Sequence, residues 1–383
     1  MKRVACLAGL MLLGATVPGA QPPYTMTLIE VSKVWGSAVA DYDRDGHEDL
    51  LIEGHDANDR IWYWTPGGYR PSAQVLTHSD RHGCDVADIN ADGLPDIYCA
   101  IGGEGGFGIG LNEMWVQQPS GQHVDRAQEM GIQDPYGRGR IPVFFDMNHD
   151  GYPDIYLTNL STTRPDGHPN INRVFVNQGG LSFSELTTLA TGAKGSKCVA
   201  KGDINVDGWD DLLVCVNKAP GHLYVNNQAG DFQELMPRPA ETEWKDAKLA
   251  DLNDDGRDDL LLITATNTFQ VWLNSGGGRF FDTLSYQQKL PAWGESIAVG
   301  DFNRDGRRDV YVVQRDPNCE TTGRDLAGDL IFFGRAGGGW VKALLPQALD
   351  GCGYLADVVD GSKILVMNGG GGWRGPSYLI EAK

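Results

Sequence analysis

The stretch DYDRDGHED at residues 41–49 begins a pattern that recurs five more times along the chain. The other copies are DINADGLPD at 88, DMNHDGYPD at 146, DINVDGWDD at 203, DLNDDGRDD at 251 and DFNRDGRRD at 301. Positions 1, 5 and 9 are Asp in every copy, position 3 is Asp or Asn, and position 6 is Gly. The copies begin 47, 58, 57, 48 and 50 residues apart. This spacing indicates a repeated structural unit.

The acidic residues of the repeat form a candidate set of metal ligands. Oxygen atoms at positions 1, 3, 5 and 9, with a backbone carbonyl at position 7, make an oxygen-rich cage of the kind that Ca²⁺ prefers. Two carboxylates about 4 Å apart repel by roughly 4 kcal/mol at an effective dielectric of 20, so the converging loop needs a cation. The alternative is a set of solvated acidic turns without metal. The sequence predicts about six calcium ions, with these ligands: Asp41, Asp43, Asp45, Asp49; Asp88, Asn90, Asp92, Asp96; Asp146, Asn148, Asp150, Asp154; Asp203, Asn205, Asp207, Asp211; Asp251, Asn253, Asp255, Asp259; Asp301, Asn303, Asp305, Asp309.

The segments around the loops predict strands and not helices. An EF-hand loop begins in the same way but needs Glu at position 12, where the first two copies have Ile52 and Cys99. Short alternating or apolar runs flank each copy, which is typical of a β-hairpin. A third strand ends in Asn before a Gly-rich turn, as in RVFVNQGG from Arg173, LYVNNQAG from Leu223 and VWLNSGGG from Val271. A fourth strand follows each of these turns and begins at Phe183, Phe232 and Phe280. Four strands in each unit of about 50 residues indicate the blades of a β-propeller.

With these loops the chain resembles the FG-GAP or VCBS repeat family, which includes the head of integrin α-chains and bacterial secreted propellers. The resemblance covers roughly residues 24–383 and rests on the six acidic loops. It implies an all-β, seven-bladed propeller with calcium in the loop between strands 1 and 2 of six blades.

The seventh unit lacks the ligand set. Residues 354–361 keep the turn, and Lys363 begins the next apolar run, so we expect a shortened hairpin without calcium. Only one further strand, from Tyr378, follows it. The segment Tyr24–Val31 is therefore predicted to supply the fourth strand and to close the ring, which removes an exposed sheet edge.

The N-terminus and the cysteines indicate a secreted protein. Residues 1–20 have the basic start, apolar run and small-residue end of a signal peptide, which leaves residues 21–383 as the propeller. Beyond Cys6 there are six cysteines, an even number that suits an oxidising compartment. In the propeller register they are expected to pair as Cys84–Cys99, Cys198–Cys215 and Cys319–Cys352; the alternative is buried free thiols.

Charge and hydropathy narrow the range of partners. The formal net charge of −19 argues against nucleic acid, which requires a basic face. Beyond the signal segment no apolar run approaches the roughly 20 residues needed to span a bilayer. The mature chain is expected to be a soluble monomer.

The face opposite the calcium loops is predicted to bind the ligand. The longer connections, residues 102–112, 158–172, 315–328 and 369–376, fall on this face, and irregular loops on a rigid scaffold commonly carry binding sites. A basic and aromatic ring at the starts of the first strands would suit an anionic or carbohydrate ligand. The alternative is that the Trp residues fill the tapering centre and the basic residues balance nearby acids. The ring consists of Trp35, Arg81, His82, Arg138, Arg140, Lys197, Trp244, Lys245 and Trp293.

These features favour a non-catalytic binding or adhesion module for a protein or glycan. The competing interpretation is a sugar- or polysaccharide-active enzyme of the lyase or dehydratase kind on a propeller scaffold. The sequence contains no nucleophile elbow, phosphate loop or HExxH motif, so no catalytic residue is predicted. His55, His82 and His168 are the acid–base candidates of that alternative. A third interpretation is a purely structural domain.

Overall fold

The structure is a computed structural model of the chain. The residues it describes are 24–32, 34–54, 59–77, 80–103, 110–160, 171–180, 182–186, 195–235, 243–276, 280–316, 318, 328–335, 339–344, 355–367 and 375–382. The predicted signal segment, His55, His168, Cys319 and Cys352 lie outside the described residues, as does most of each long connection.

Seven four-stranded antiparallel sheets make a seven-bladed β-propeller, as the sequence predicts. The chain begins with β1 (Tyr24–Ser32). The first three blades are β2 (Val34–Ala40), β3 (Asp49–Gly54), β4 (Arg60–Tyr63), β5 (Arg70–Pro71); β6 (Arg81–Ala87), β7 (Asp96–Ile101), β8 (Glu113–Gln117), β9 (His123–Asp125), followed by the short helix α1 (Ala127–Met130); and β10 (Gly139–Phe145), β11 (Asp154–Asn159), β12 (Arg173–Asn177), β13 (Phe183–Glu185). The remaining strands are β14 (Ser196–Gly202), β15 (Asp211–Val216), β16 (His222–Asn226), β17 (Phe232–Leu235); β18 (Trp244–Ala250), β19 (Asp259–Thr264), β20 (Thr268–Leu273), β21 (Thr283–Lys289); β22 (Trp293–Gly300), β23 (Asp309–Arg315), β24 (Leu330–Gly334), β25 (Trp340–Leu344); and β26 (Leu355–Val359), β27 (Lys363–Met367), β28 (Gly375–Ala382).

The hydrophobic core is a series of layers between neighbouring blades. Every residue of β15, with the sequence DLLVCV, is buried, because both faces of this second strand are covered by adjacent sheets. Leu213 and Cys215 of this strand pack against Trp244 and Leu260 of the next blade. Seven such clusters follow one another around the ring. Each blade is therefore stabilised mainly by its two neighbours.

The first strand of each blade lies innermost, next to the first strands of the adjacent blades. The last blade meets the first blade through β26 and β2, where Ser37 Oγ donates a hydrogen bond to Asp357 Oδ2 at 2.9 Å. In the seventh sheet the order is β1-β28-β27-β26, and β1 pairs with β28 from Tyr24 opposite Ala382 to Ser32 opposite Gly375.

Two strand boundaries differ from the sequence prediction. The last strand begins at Gly375 and not at Tyr378. The fourth strand of the fifth blade begins at Thr283 and not at Phe280. Phe281 has a left-handed backbone, with φ of 53°, and its side chain is fully buried. This residue anchors the turn to the core, so the ladder begins only after it.

Two of the three expected disulfides lie among the described residues and are confirmed. Cys84 pairs with Cys99 across β6 and β7, and Cys198 pairs with Cys215 across β14 and β15. In both cases the cysteines are direct cross-strand partners. Each disulfide therefore fastens the hairpin that carries one acidic loop. The expected Cys319–Cys352 pair falls outside the described residues.

Candidate metal loops and the opposite face

The six acidic loops connect the first and second strands of the first six blades, and all have the same conformation. The residue at position 4 is left-handed in each loop, with φ between 54° and 61°, and Gly at position 6 has φ between 79° and 89°. These two reversals fold each loop back on itself. The position 1 carboxylate accepts backbone N–H groups from positions 5 and 6, as Asp41 does from Asp45 at 3.0 Å and Gly46 at 2.9 Å.

The donor atoms of the first loop converge enough to hold a cation. Carboxylate oxygens of Asp41, Asp43 and Asp49 lie within 4.8 Å of one another. Loops 2 to 6 have Asn at position 3 in place of Asp, which keeps an oxygen ligand and removes one charge. All of these donors are hard oxygen atoms, so the residues present fit Ca²⁺.

The Asp at position 9 has a structural role that the sequence pattern does not reveal. Its side chain is fully buried in all six blades. In the fourth blade, Asp211 Oδ2 accepts the backbone N–H of Ile204 in the loop at 3.0 Å, and Oδ1 accepts that of Asn226 at the end of the third strand at 2.8 Å. The equivalent bonds recur in the other blades. Position 9 therefore fastens the loop to its own blade.

Burial affects the protonation of these position 9 carboxyl groups. Desolvation raises the pKa of Asp211 to about 6 and that of Asp96 and Asp154 to about 7, although the backbone donors oppose the shift. Neighbouring acidic side chains at positions 1 and 5 raise the pKa further. A cation at the loop would compensate this electrostatic cost.

A buried amide at the end of the third strand links each of four blades to the loop of the preceding blade. We call these four residues the amide latch: Gln117, Asn177, Asn226 and Asn274. Each donates its side-chain N–H to the backbone carbonyl at position 2 of the preceding loop, at distances of 2.7–3.0 Å. The Asn that marks the strand end in the sequence is thus a contact between blades.

The turns between strands 3 and 4 lie on the same face as the acidic loops, as the sequence predicts. Gln228 in such a turn donates to Asp207 Oδ2 at 2.9 Å. The Cα of Gly180, in the equivalent turn of the third blade, is so close to the second loop that an added Cβ would lie 2.6 Å from Asn90 Cα. These contacts hold the two turns against the acidic loops.

At the opposite face, the first strand of each of six blades contains a β-bulge near its start. A bulge leaves a residue unpaired in the ladder and re-aims its side chain. We call the six residues at these bulges the bulge ring: Trp35, His82, Arg140, Lys197, Lys245 and Glu295. Members from adjacent blades contact one another, as Trp35 and His82 do with ring centroids 4.9 Å apart.

The bulge explains why two residues expected at the ligand face are not available to a ligand. Arg81 and Trp244 directly precede the bulge and are fully buried. Arg81 forms ion pairs with Asp59 of the first blade at 2.5 Å and with Glu113 at 2.7 Å, and Trp244 packs in the core between blades 4 and 5. For these two residues the alternative interpretation, core packing and charge balance, is correct.

The other residues of the predicted face are partly or largely accessible, except for one. His82 is buried, with Nε2 3.2 Å from Asp80 Oδ1, so this acid–base candidate has little contact with solvent. Lys197 pairs with Glu243, whereas Arg138 and Arg140 are half-buried. Trp293 is 44% exposed and is the most accessible aromatic side chain of this set.

The fold and the repeated acidic loops define a repeat β-propeller, and comparison with known families identifies which one. The model of the FG-GAP-like repeat matches residues 41–99, 88–157, 146–214 and 251–312, which together exceed half of the chain. The chain therefore belongs to the FG-GAP-like repeat family. No curated protein matches it by sequence.

Solved structures with the same fold are remote in sequence. YCF48 bound to D1 peptide matches with a TM-score of 0.60 and 8% identity, covering 98% of this chain and 100% of that one. The BBS1N chain in complex with ARL6DN has a TM-score of 0.58 at 10% identity, covering 93% and 94%. Streptogramin B lyase has a TM-score of 0.56 at 12% identity, covering 94% and 98%. At these identities the likeness concerns the fold alone.

Proposed function

We propose that this protein is a secreted propeller, stabilised by calcium on one face, that binds a protein or glycan ligand through the bulge-ring face without catalysing a reaction. The observation that carries the proposal is the division between the two faces. One face consists of near-identical acidic loops fastened by buried carboxylates and the amide latch. The other presents side chains that the bulges turn out of the ladder.

The geometry of the first loop supports calcium binding. Three carboxylates within 4.8 Å of one another repel, and a bound cation would relieve this repulsion. When bound, calcium would neutralise this charge and draw positions 1, 3 and 5 together, while position 9 would keep the loop attached to the blade.

Metal analysis and thermal melting test the calcium proposal. We expect about six bound ions at saturating calcium, affinities of about 10⁻⁴ to 10⁻³ M or tighter, and a melting temperature that falls on addition of a chelator. Fewer than four bound ions, or a melting curve that does not respond to chelator, would contradict it.

The oxidising compartment is supported by the two disulfides, which suggest an extracellular setting. Among the residues that the structure describes, no helix has the length and apolar character to cross a bilayer. Cleavage near residue 20 is the remaining part of the proposal, and mass spectrometry of the protein exported by its native host would measure it. A mature N-terminus upstream of that point would contradict it.

Structures of two proteins with the same fold, each solved in a complex, support the binding role. YCF48 is solved with a D1 peptide and BBS1N with ARL6DN, so the fold is compatible with protein ligands. A glycan array combined with a pull-down from the native extracellular medium would identify the ligand class. The proposal requires that the captured ligand lose affinity when Trp293 is changed to Ala, and that exposed substitutions beside the acidic loops leave binding unchanged.

A further inference from the structure

We infer that Trp293 and Lys245 form a binding site for a carboxylated sugar at the boundary of blades 5 and 6, an inference that rests on the binding role proposed above. We call the set Lys197, Glu243, Lys245, Trp293, Glu295 and Arg315 the tryptophan site. It lies at the ends of the first strands farthest from the acidic loops.

The tryptophan is held in place by cations from two blades. Trp293 begins β22 and is the cross-strand partner of Arg315, whose Cζ lies 5.6 Å from the centroid of the Trp293 ring. Lys245, at the bulge of the preceding blade, places Nζ 5.7 Å from the same centroid. The ring is nevertheless 44% exposed, so it offers a rigid aromatic surface to solvent.

The three cations of the site differ in their partners among the described residues. Arg315 is paired with Glu295 at 3.0 Å, and Lys197 with Glu243. Lys245 Nζ donates to the backbone carbonyl of Gly294 at 3.3 Å, and within the described part of the chain no carboxylate lies within 4.0 Å of it.

Burial and the neighbouring cations both act on Lys245. Desolvation lowers the pKa of its ammonium group, and Arg315 and Lys197 lower it further, whereas Glu295 and Glu243 act in the opposite direction. An incoming carboxylate would remove this repulsion and form a charge-assisted hydrogen bond with Nζ.

Among the described residues, the exposed apolar surface of this site is a single aromatic ring, which suits a sugar. The fully buried centre of a protein interface is usually more apolar than its rim. The other large apolar side chains that are exposed in the described part of the chain lie elsewhere: Leu28, Val124 and Leu284 on outer strands, Val206 in an acidic loop, and Leu111 and Tyr136 in the second and third blades. A single Trp ring matches the C–H face of one sugar ring, and the carboxylate of a uronic acid would meet Lys245.

Calorimetric titration with trigalacturonate, at low ionic strength and saturating calcium, tests the inference. Its fully methyl-esterified form has the same ring surface without charge, so we expect it to bind at least about tenfold more weakly. Lys245→Gln and Trp293→Ala should each weaken trigalacturonate binding by about tenfold or more, and Lys245→Arg should retain more affinity than Lys245→Gln. Lys342→Gln, which removes an exposed charge from β25 in the same sheet as Trp293, is the matched control and should bind like the wild type.

Several outcomes would overturn the inference. The first is that trigalacturonate does not bind. The second is that the methyl ester binds as tightly as trigalacturonate. The third is that Lys245→Gln binds trigalacturonate like the wild type and has the same melting temperature. An oligoglutamate peptide that binds with Lys245 dependence when trigalacturonate does not would assign the site to an acidic protein. Either that result or a neutral glycan bound at Trp293 would leave the proposed binding function intact. Failure of every array and pull-down ligand would refute both.

Discussion

Val206 occupies a backbone conformation that a β-branched residue rarely adopts. It is position 4 of the fourth acidic loop, with φ of 59°, and its side chain is 55% exposed. The left-handed region costs an L-residue roughly 1–2 kcal/mol, and Asn tolerates it better. We expect Val206→Asn to stabilise the protein by about 1 kcal/mol and to raise the melting temperature by about 2 °C.

The control for this substitution is Val206→Thr, which retains β-branching and should leave the melting temperature close to that of the wild type. Thermal melting at saturating calcium measures both variants. If Val206→Asn melts at or below the wild-type temperature, relief of backbone strain is not the dominant effect at this position.

Glu53 is a buried acid at the boundary of the first two blades and should make stability depend on pH. Its Oε1 accepts the backbone N–H of Cys84 at 2.8 Å. Burial raises its pKa to about 8, with Asp59 and Asp357 raising it further and the Cys84 N–H and Arg81 opposing the shift. The folded state therefore favours the neutral acid. This contribution to stability is fully present below the ordinary pKa near 4.5 and is lost as the pH rises through about 8.

Glu53→Gln mimics the neutral acid at every pH and keeps an oxygen that can accept the Cys84 N–H. We expect the variant to match the wild type near pH 4.5 and to become increasingly more stable than it toward pH 8. Chemical denaturation across this range measures the difference in the free energy of unfolding. A difference that stays constant or shrinks as the pH rises would show that Glu53 is ionised in the folded protein.

At the scale of strands and turns, the amide latch should contribute measurably to stability. Asn226 is buried and donates to the Met147 carbonyl of the preceding blade at 3.0 Å. Truncation leaves that carbonyl without this donor in a dry environment, so Asn226→Ala should reduce the free energy of unfolding by about 1–3 kcal/mol. Gln233→Ala removes an amide from an exposed position of the fourth strand in the same blade and serves as the control. Equal melting temperatures for the two variants would contradict the latch.

Sequence periodicity predicted the elements well because the information is local. Asp-x-Asn-x-Asp-Gly at 203–208 specifies its own turn, and the continuous apolar run around Leu213 indicates a buried strand. Contacts between blades are not encoded in this way. Nothing near Asn226 in the sequence indicates that its partner is Met147, 79 residues earlier.

The side-chain environments on the predicted ligand face also could not be read from the local sequence. A bulge breaks the simple alternation of side chains, so neighbours such as Trp244 and Lys245 have different environments. Sequence alone placed both in one ring. The pairing register of β18 with β19 was needed to assign Trp244 to the core and Lys245 to the bulge ring.

At the scale of the whole molecule, we propose that the pairing of β1 with β28 closes the ring. β1 is the outer strand of a sheet whose other three strands come from the C-terminus. Tyr24 and Met26 pack against the core between blades 6 and 7, and Ile29 packs between blades 7 and 1. Loss of this strand would expose the edge of β28 and remove part of two core layers.

Deletion of residues 21–32 should therefore lower the melting temperature of the entire propeller in one cooperative transition. A paired substitution keeps the test interpretable if the truncated chain does not fold. Ile29 is 8% exposed and Leu28 is 48% exposed, on adjacent positions of the same strand. Ile29→Ala should cost about 2–3 kcal/mol through the cavity it leaves, whereas Leu28→Ala should change stability by less than about 0.5 kcal/mol. If both point variants and the truncated protein melt like the wild type, β1 is an attached tail and the ring is closed without it.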